Sequence, residues 1–249
     1  MNNRRKFIQH SLATIGTTLI GSQLVKAEAI VAKSSKIAIK QNDIILFQGD
    51  SITDHGRNRD ALNPNDLNGL GRGYSMVAAS TLLNKYADKN IKIYNRGIGG
   101  HKVPQLLERW DKDCIELQPT ILSILIGVND YWHKRDGKYA GNAKTYKENY
   151  QKLLDKTLKN LPNIQLLIGE PFAVNNVQQV TDSWYPEFLG YQQVAKEIAS
   201  EYKAIFIPYQ QVFDKAQKRA SGKHWTYDGV HTTPAGIHLM AEAWLNTIK

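Results

Sequence analysis

The chain has 249 residues, of which 42% are hydrophobic, and it carries a formal net charge of +9. A chain of this length can bury one sizeable core, and no linker, repeat or low-complexity segment divides it. Its lysines and arginines are scattered without the dense clusters typical of phosphate-backbone binding, so we expect no nucleic acid partner. The single cysteine excludes an intrachain disulfide, and neither Cys-x-x-Cys nor His-Glu-x-x-His occurs. We therefore expect no metal and no cofactor.

Residues 1–29 are predicted to form a twin-arginine-like signal peptide. Arg4 and Arg5 precede a mildly apolar segment, residues 11–21, and Ala27-Glu28-Ala29 offers a small-residue cleavage site. The apolar segment is too short to span a membrane. We expect export to the periplasm or the extracellular space, a mature domain of residues 30–249, and no stable membrane span after signal removal. An ordinary amphipathic first helix is the alternative interpretation.

The rest of the chain alternates strand and helix patterns. Short apolar runs rich in β-branched residues predict strands at residues 44–47, 91–94, 121–126, 164–168 and 204–207. Longer segments with helical spacing of apolar residues predict helices at residues 74–86, 103–117, 143–161, 187–202 and 234–248. Cys114 falls on the apolar stripe of the second of these helices and is interpreted as a core residue. The alternation predicts an α/β fold, a single-domain three-layer α/β/α sandwich around a parallel, doubly wound sheet of about five strands.

Three residue types needed for nucleophilic acyl transfer occur at informative places. Ser51 directly follows the first predicted strand, at the carboxyl edge where open α/β sheets bind their ligands. Asp228 and His231 lie three residues apart, just before the last predicted helix. A serine, an imidazole and a carboxylate can act as nucleophile, general base and orienting group. A capping aspartate with a core histidine, or a pair of metal ligands, would be the alternative for Asp228 and His231.

Two further motifs follow predicted strands and should border the same crevice. Asn95-Arg96-Gly97-Ile98-Gly99-Gly100 follows the second strand, and Gly127-Val128-Asn129 follows the third. Acyl transfer passes through an oxyanion, which backbone N–H groups near a glycine and an asparagine amide can stabilise. A tight turn is the alternative for either motif. A dinucleotide site is disfavoured because the full Gly-x-Gly-x-x-Gly pattern is absent.

Taken together, these motifs resemble the four sequence blocks of the SGNH, or GDSL-type, hydrolases, in the same order and at the same strand positions. The resemblance implies a flavodoxin-like SGNH fold. It also implies a serine esterase in which Ser51 is the nucleophile, His231 the base and Asp228 the orienting acid. The oxyanion would be held by the backbone N–H groups of Ser51 and Gly100 and by the side chain of Asn129, with Gly97 as the alternative glycine.

Within that family the sequence looks similar to bacterial secreted carbohydrate O-acetylesterases of the acetylxylan esterase type. The resemblance implies an acyl ester substrate, either a small molecule or a polysaccharide, and favours short acyl groups. A lipase, lysophospholipase or thioesterase of the same superfamily is one alternative, and a noncatalytic carbohydrate-binding protein on this fold is another. The sequence does not predict the oligomeric state. Candidate substrate-binding residues, chosen for their position near the motifs or the strand ends, are Asp50, Arg57, Trp132, Glu170 and Trp225.

Overall fold

The computed structural model describes residues 36–249, so the predicted signal peptide lies outside the described residues. The described chain forms a five-stranded, all-parallel sheet in the order β2-β1-β3-β4-β5. This confirms the predicted α/β fold and each of the five predicted strands to within two residues. The strands are β1 (Ile44–Gly49), β2 (Lys92–Asn95), β3 (Ile121–Leu125), β4 (Gln165–Gly169) and β5 (Ile205–Ile207).

The helices pack in two groups that flank the sheet. Helix α3 packs against α10, whereas α6 packs against both α4 and α7. The prediction missed α5 and α8, together with the one-turn helices α1, α2 and α9. Within residues 36–249 the helices are α1 (Ser51–Asp54), α2 (Leu67–Leu70), α3 (Tyr74–Lys85), α4 (Val103–Glu108), α5 (Val128–Arg135), α6 (Ala143–Asn160), α7 (Glu187–Glu201), α8 (Tyr209–Gln217), α9 (Gly222–Trp225) and α10 (Pro234–Leu245).

The segment predicted as one helix at residues 103–117 is divided in the structure. Helix α4 ends at Glu108, and a π-helical turn, Asp111–Ile115, follows it. Trp110 and Cys114 nevertheless remain fully buried, and the indole N–H of Trp110 donates to the hydroxyl of Thr157 at 2.9 Å. Burial raises the pKa of the Cys114 thiol. Cys114 is therefore a core residue, as predicted, and not a reactive thiol.

The strand order places a ligand crevice between β1 and β3. The chain runs from β1 outward to β2 and then returns to the other side of β1 as β3, so the direction of winding reverses between β1 and β3. Parallel sheets bind ligands at such a switch point, outside the carboxyl ends of the strands. Ser51 follows β1 and Asn129 follows β3 at this edge. Within residues 36–249, no helix is long and apolar enough to cross a membrane.

Candidate active site

Ser51 is the first residue of α1, immediately beyond the carboxyl end of β1. The turn is fixed by Asp50, whose carboxylate Oδ1 accepts the backbone N–H of Ile52 at 3.0 Å and so caps the helix. The backbone carbonyl of Asp50 accepts the N–H of Asp54 at 2.8 Å. The strand-to-helix turn therefore presents the Ser51 side chain at the edge of the sheet.

A continuous chain of hydrogen bonds joins Ser51, His231 and Asp228. The Ser51 Oγ lies 2.9 Å from His231 Nε2, and His231 Nδ1 lies 2.7 Å from Asp228 Oδ2. Ser51 and His231 are 180 positions apart in sequence, so the fold brings them together from opposite ends of the described chain. These are the contacts that a nucleophile, a general base and an orienting carboxylate require.

Asp228 and His231 are held by the loop that carries them. The second carboxylate oxygen of Asp228, Oδ1, accepts the backbone N–H groups of Val230 at 2.9 Å and His231 at 2.8 Å. Burial raises the pKa of Asp228, but the hydrogen bonds from His231 and from the loop N–H groups outweigh it and the pKa is lowered. The hydrogen bond to Asp228 is the main reason that the pKa of His231 is raised. The loop keeps the carboxylate ionised beside the imidazole.

Ser51, Gly100 and Asn129 line one cavity and offer two backbone N–H groups and one side-chain amide as donors. Gly100 has a φ of +79°, which favours glycine, and it borders the same cavity as Ser51, Asn129 and His231. Among the described residues, the N–H groups of Ser51 and Gly100 have no acceptor. The Asn129 amide donates to the carbonyl of His101 at 3.2 Å, which holds the side chain in place and leaves its second amide hydrogen available.

Gly97 is differently placed. Its N–H donates to the side-chain oxygen of Asn95 at 2.9 Å, and its carbonyl accepts the Arg57 guanidinium Nε at 2.8 Å. Because both polar groups of Gly97 are already paired within the protein, the geometry favours Gly100 over Gly97 as a donor to an oxyanion.

The cleft extends on one side of Ser51 toward Trp132. This cavity of about 500 Å³ is bordered by Ser51, Asn129, Trp132, Asp228 and His231. The indole of Trp132 has its centre 6.4 Å from the imidazole of His231 and packs edge-on against Trp184 at 5.4 Å. Trp132 therefore lies on α5 and forms a wall of the cleft beside the histidine.

Asp50 does not line the cleft, so its assignment as a substrate-binding residue is wrong. Its side chain is completely buried beneath Ser51, and the carboxylate oxygen Oδ2 has no hydrogen-bond partner among the described residues. Burial raises its pKa to about 7. The equally buried Asp130 also has one unpaired oxygen, and burial raises its pKa to about 7 as well. These carboxyl groups support the turns behind the site and cannot touch a substrate.

Glu170 braces the sheet edge, whereas Arg57 is bonded to the Gly97 loop and also lines a cavity that contains Ser51. The carboxylate of Glu170 accepts the backbone N–H of Gln210 at 3.0 Å, which joins the end of β4 to the start of α8. Glu170 is absent from the walls of the cavities that contain Ser51. Arg57 is buried and bonded to the Gly97 carbonyl, and burial lowers its pKa to about 10.

Trp225 is also misplaced by the sequence analysis. Its side chain is only 5% exposed, and its indole N–H donates to the carbonyl of Ala220 at 3.2 Å. His224 packs edge-on against it at 4.6 Å. Trp225 therefore supports the loop of Asp228 from behind and offers no surface to a sugar.

A residue that the sequence analysis missed, Asp54, ties Ser51 to the loop of Gly100. Asp54 ends α1, and its side chain is nearly buried. Its carboxylate Oδ2 accepts the N–H of Gly99 at 2.9 Å and the guanidinium of Arg59 at 2.7 Å. The other oxygen accepts the backbone N–H of Arg57 at 3.2 Å. The signal available in the sequence was an acidic residue three positions after the serine.

The described residues contain no group of three or more histidine, cysteine, aspartate or glutamate side chains arranged to hold a metal ion.

A parallel doubly wound sheet with a serine, a histidine and an aspartate at its switch point defines an SGNH-type hydrolase. Residues 47–239 match the GDSL-like Lipase/Acylhydrolase family, and the chain belongs to that family. Membership implies a carboxylic ester hydrolase, and the match spans every element that carries the site. It therefore confirms the family resemblance stated from the sequence.

The chain is similar to a curated protein and to solved structures over most of its length. A curated acetylxylan esterase from Geobacillus stearothermophilus is 31% identical over 212 residues, which are 84% of this chain and 95% of the relative. A crystal structure named as a GDSL-like lipase from Parabacteroides merdae is 45% identical with a TM-score of 0.83, covering 85% of this chain and 98% of that one. The structure of Axe2, an acetylxylan esterase from Geobacillus stearothermophilus, is 30% identical with a TM-score of 0.76, covering 85% and 96%.

Proposed function

We propose that this chain is an exported serine esterase that removes short acyl groups, acetyl above all, from carbohydrates. The observation that carries the proposal is the hydrogen-bonded chain from Ser51 through His231 to Asp228 at the switch point of the sheet. The family supports the ester hydrolase part of the proposal, and the acetyl and carbohydrate parts rest on further observations.

The proposed reaction begins when His231 Nε2 accepts the proton of the Ser51 hydroxyl and the Ser51 oxygen attacks the ester carbonyl. The Asp228 carboxylate orients the imidazole and stabilises its protonated form. The negative charge on the carbonyl oxygen is held by the N–H groups of Ser51 and Gly100 and by the Asn129 amide. His231 then protonates the departing sugar hydroxyl, and an acyl-Ser51 ester remains.

Deacylation repeats the sequence with water. His231 accepts a proton from the water as it attacks the acyl-Ser51 carbonyl, and the same three donors stabilise the second oxyanion. Collapse of that intermediate returns the proton to Ser51 and releases the carboxylic acid. The roles of Ser51, His231, Asp228, Gly100 and Asn129 are thus the ones expected from the sequence.

The assignment of a triad is supported by variants of a relative. Solved catalytic mutants of Axe2 replace a serine, a histidine and an aspartate by alanine, and the replaced aspartate precedes the histidine by three residues. Asp228 and His231 have the same spacing in this chain.

The acetyl and carbohydrate parts are supported by the relatives and by the cleft. The curated relative and the solved structure from Geobacillus stearothermophilus are both named as acetylxylan esterase. The cleft wall combines Trp132 with polar side chains such as Asn129, His133 and Gln179, which suits a sugar with hydroxyl groups better than a long acyl chain.

The test compares Ser51→Ala with the wild type on a chromogenic acetate ester and on acetylated xylooligosaccharides. We expect Ser51→Ala to lose at least about 10⁴-fold in kcat on both substrates, with an unchanged melting temperature. Retention of wild-type turnover by the variant would overturn the triad. A wild type that binds the oligosaccharide but hydrolyses neither ester would indicate the noncatalytic alternative.

Acyl specificity is tested with the same alcohol esterified to acetate, butyrate and octanoate. We expect kcat/KM to be highest for acetate and to fall with chain length. A rising series would indicate the lipase or thioesterase alternative.

The export part of the proposal rests on Arg4, Arg5 and the Ala27-Glu28-Ala29 segment of the sequence. Expression of the full chain in a bacterial host, followed by amino-terminal sequencing of the periplasmic product, tests it. We expect the mature protein to begin near residue 30, and the double change Arg4→Lys and Arg5→Lys to leave the chain in the cytoplasm. Uncleaved cytoplasmic wild type would exclude export.

A further inference from the structure

We propose that Arg72 binds a carboxylate on the carbohydrate substrate, so that this esterase prefers acylated sugars that carry a uronic acid. The inference deepens the proposed function, because it names the substrate class for the same cleft. It depends on the shape of the cleft, on the charges that line it, and on the position of the Arg72 side chain.

A second cavity also opens at Ser51, and Trp132 does not line it. This cavity of about 530 Å³ is lined by Ser51, His231, His55, Arg72 and Tyr227. An adjoining cavity of about 390 Å³ shares Gly56 and Arg72 with it. Arg72 therefore lines both the cavity that contains Ser51 and the adjoining cavity. A sugar whose ester group is at Ser51 has room to extend past Arg72.

Arg72 is a cation of this cleft without an anionic partner. Its side chain makes no ion pair or hydrogen bond with any residue between positions 36 and 249, and neither of the two cavities is lined by an aspartate or a glutamate. Two other cations that border the site are paired with carboxylates. Arg59 contacts Asp54 at 2.7 Å, and Lys138 lies 3.7 Å from Asp136. The electrostatic potential in these two cavities therefore favours a negatively charged ligand.

The backbone of Arg72 is fixed beside the cleft, and its side chain is exposed there. The Arg72 backbone N–H donates to the carbonyl of His55 at 3.1 Å, and the guanidinium lies against Gly56. Gly56 has a φ of +69°, and a Cβ there would come within 2.7 Å of the Arg72 Nη2. Glycine at this position therefore leaves room for the exposed guanidinium beside the cleft.

Neighbouring groups complete a site for a charged sugar. Tyr227 is 58% exposed and borders the same cavity, where its ring can pack on a pyranose face. His55 adds a hydrogen-bonding group but little charge, because burial and then the nearby His231 and Arg72 lower its pKa. A single planar guanidinium matches a planar carboxylate through two parallel hydrogen bonds. A uronic acid is therefore the sugar chemistry that fits this side of the cleft.

The experiment uses two acetylated methyl glycosides that differ in one group. One is a methyl glucuronoside with a free carboxylate, and the other is its uronamide, a neutral group of the same shape. For the wild type at low salt we expect KM for the uronoside to be about 3- to 10-fold lower than for the uronamide. Because the pair is partly exposed, the preference should fall toward unity in about 0.5 M NaCl.

The variant Arg72→Gln should give the same KM for both glycosides. Arg219→Gln is the matched control, because Arg219 is exposed and stacks on Trp225, away from the cleft. We expect this control to keep the wild-type preference. A preference that persists in Arg72→Gln, or a wild-type preference that is absent or unaffected by salt, would overturn the inference.

Binding to Ser51→Ala by calorimetry separates this inference from the proposed function. Tighter binding of the uronoside than of the uronamide, abolished when Arg72→Gln is added, supports the carboxylate site even if no ester is hydrolysed. Hydrolysis of the chromogenic acetate by the wild type, together with equal binding of the two glycosides, leaves the esterase proposal standing and rejects the role of Arg72.

Discussion

The carboxylate of Asp54 accepts the backbone N–H of Gly99 at 2.9 Å, and this bond joins the two segments that must cooperate around an oxyanion. Asp54 ends the short helix that begins at Ser51, and Gly99 immediately precedes Gly100. The nucleophile and one proposed oxyanion donor are therefore positioned against each other by a charged hydrogen bond, which is stronger than a neutral one.

The first prediction concerns Asp54→Asn. An asparagine has one acceptor oxygen, so it cannot serve both the Gly99 N–H and the Arg57 N–H that the two carboxylate oxygens accept now. We expect kcat to fall about tenfold, consistent with the loss of one charged hydrogen bond, while KM stays near its wild-type value. Steady-state kinetics on the chromogenic acetate ester measure both constants.

Arg59→Gln is the control for Asp54→Asn. Arg59 contacts the same carboxylate but is half exposed, and it makes no bond to the Gly99 loop. We expect less than about a twofold change in kcat for this control, because an exposed ion pair contributes little. A boronic acid that forms a tetrahedral adduct with Ser51 should lose affinity in Asp54→Asn in proportion to kcat. Unchanged boronate affinity would mean that Asp54 only supports the fold.

The second prediction concerns pH. The hydrogen bond to Asp228 raises the pKa of His231 above 6.5, so the imidazole keeps its proton to a higher pH than a free histidine does. Only the neutral imidazole can accept the Ser51 proton, and kcat/KM should therefore rise through a midpoint above pH 6.5. In Asp228→Asn the residual activity should have a lower midpoint. The same raised pKa stabilises the fold fully below pH 6.5, and this contribution is lost as the pH rises through the pKa of the folded state.

Full pH profiles of kcat/KM for the wild type and for Asp228→Asn test this relationship. A wild-type midpoint below 6.5, or identical midpoints in the two proteins, would contradict the assignment of Asp228 as the partner that sets the basicity of His231.

The third prediction concerns Asn129→Ala. If the Asn129 amide stabilises the oxyanion, its loss should lower kcat by about 10² to 10³, equivalent to about 3 to 4 kcal/mol, with little change in KM. Asn163→Ala, at an exposed position between α6 and β4, serves as the control. A decrease in kcat of less than about fivefold, accompanied by a lower melting temperature, would make Asn129 a structural turn residue.

The fourth prediction compares two tryptophans. Trp132 borders the cleft, whereas Trp225 is buried behind the Asp228 loop. We expect Trp132→Ala to raise KM for acetylated oligosaccharides about tenfold and to change KM for a small acetate ester much less, because only the sugar would pack on the indole. Trp225→Phe should lower the melting temperature without altering the ratio of the two KM values. The opposite pattern would place the sugar elsewhere.

The sheet and the triad were predictable because each depends on a local pattern. A buried parallel strand is a continuous apolar run, and the motif residues follow directly where such runs end. Helix α5 was missed because its buried residues are consecutive, Val128, Asn129, Asp130 and Tyr131, and show no helical periodicity. Helix α8 does bury Tyr209, Phe213 and Ala216 at helical spacing, but it begins two residues after the three-residue strand β5.

Side-chain direction explains the errors in the substrate-binding residues. Asp50 and Trp225 lie next to motif residues, so we expected both to face the cleft. Neighbouring side chains in a loop, however, can point to opposite sides. Asp50 turns inward to cap α1, and the Trp225 indole turns inward to the Ala220 carbonyl. Both partners are backbone groups. The identity of a residue does not reveal which backbone group its side chain will bond.

The loop that bears Asp228 and His231 has a mechanical consequence. Asp228 holds the His231 side chain with one oxygen and the His231 backbone with the other, so acid and base form one rigid four-residue unit. Ser51 belongs to a different part of the fold and meets this unit through a single contact. A displacement of the loop would therefore move Asp228 and His231 together and leave their mutual geometry intact. The separation between Ser51 Oγ and His231 Nε2 is thus the distance in this chain of hydrogen bonds that depends on how two distant parts of the fold pack.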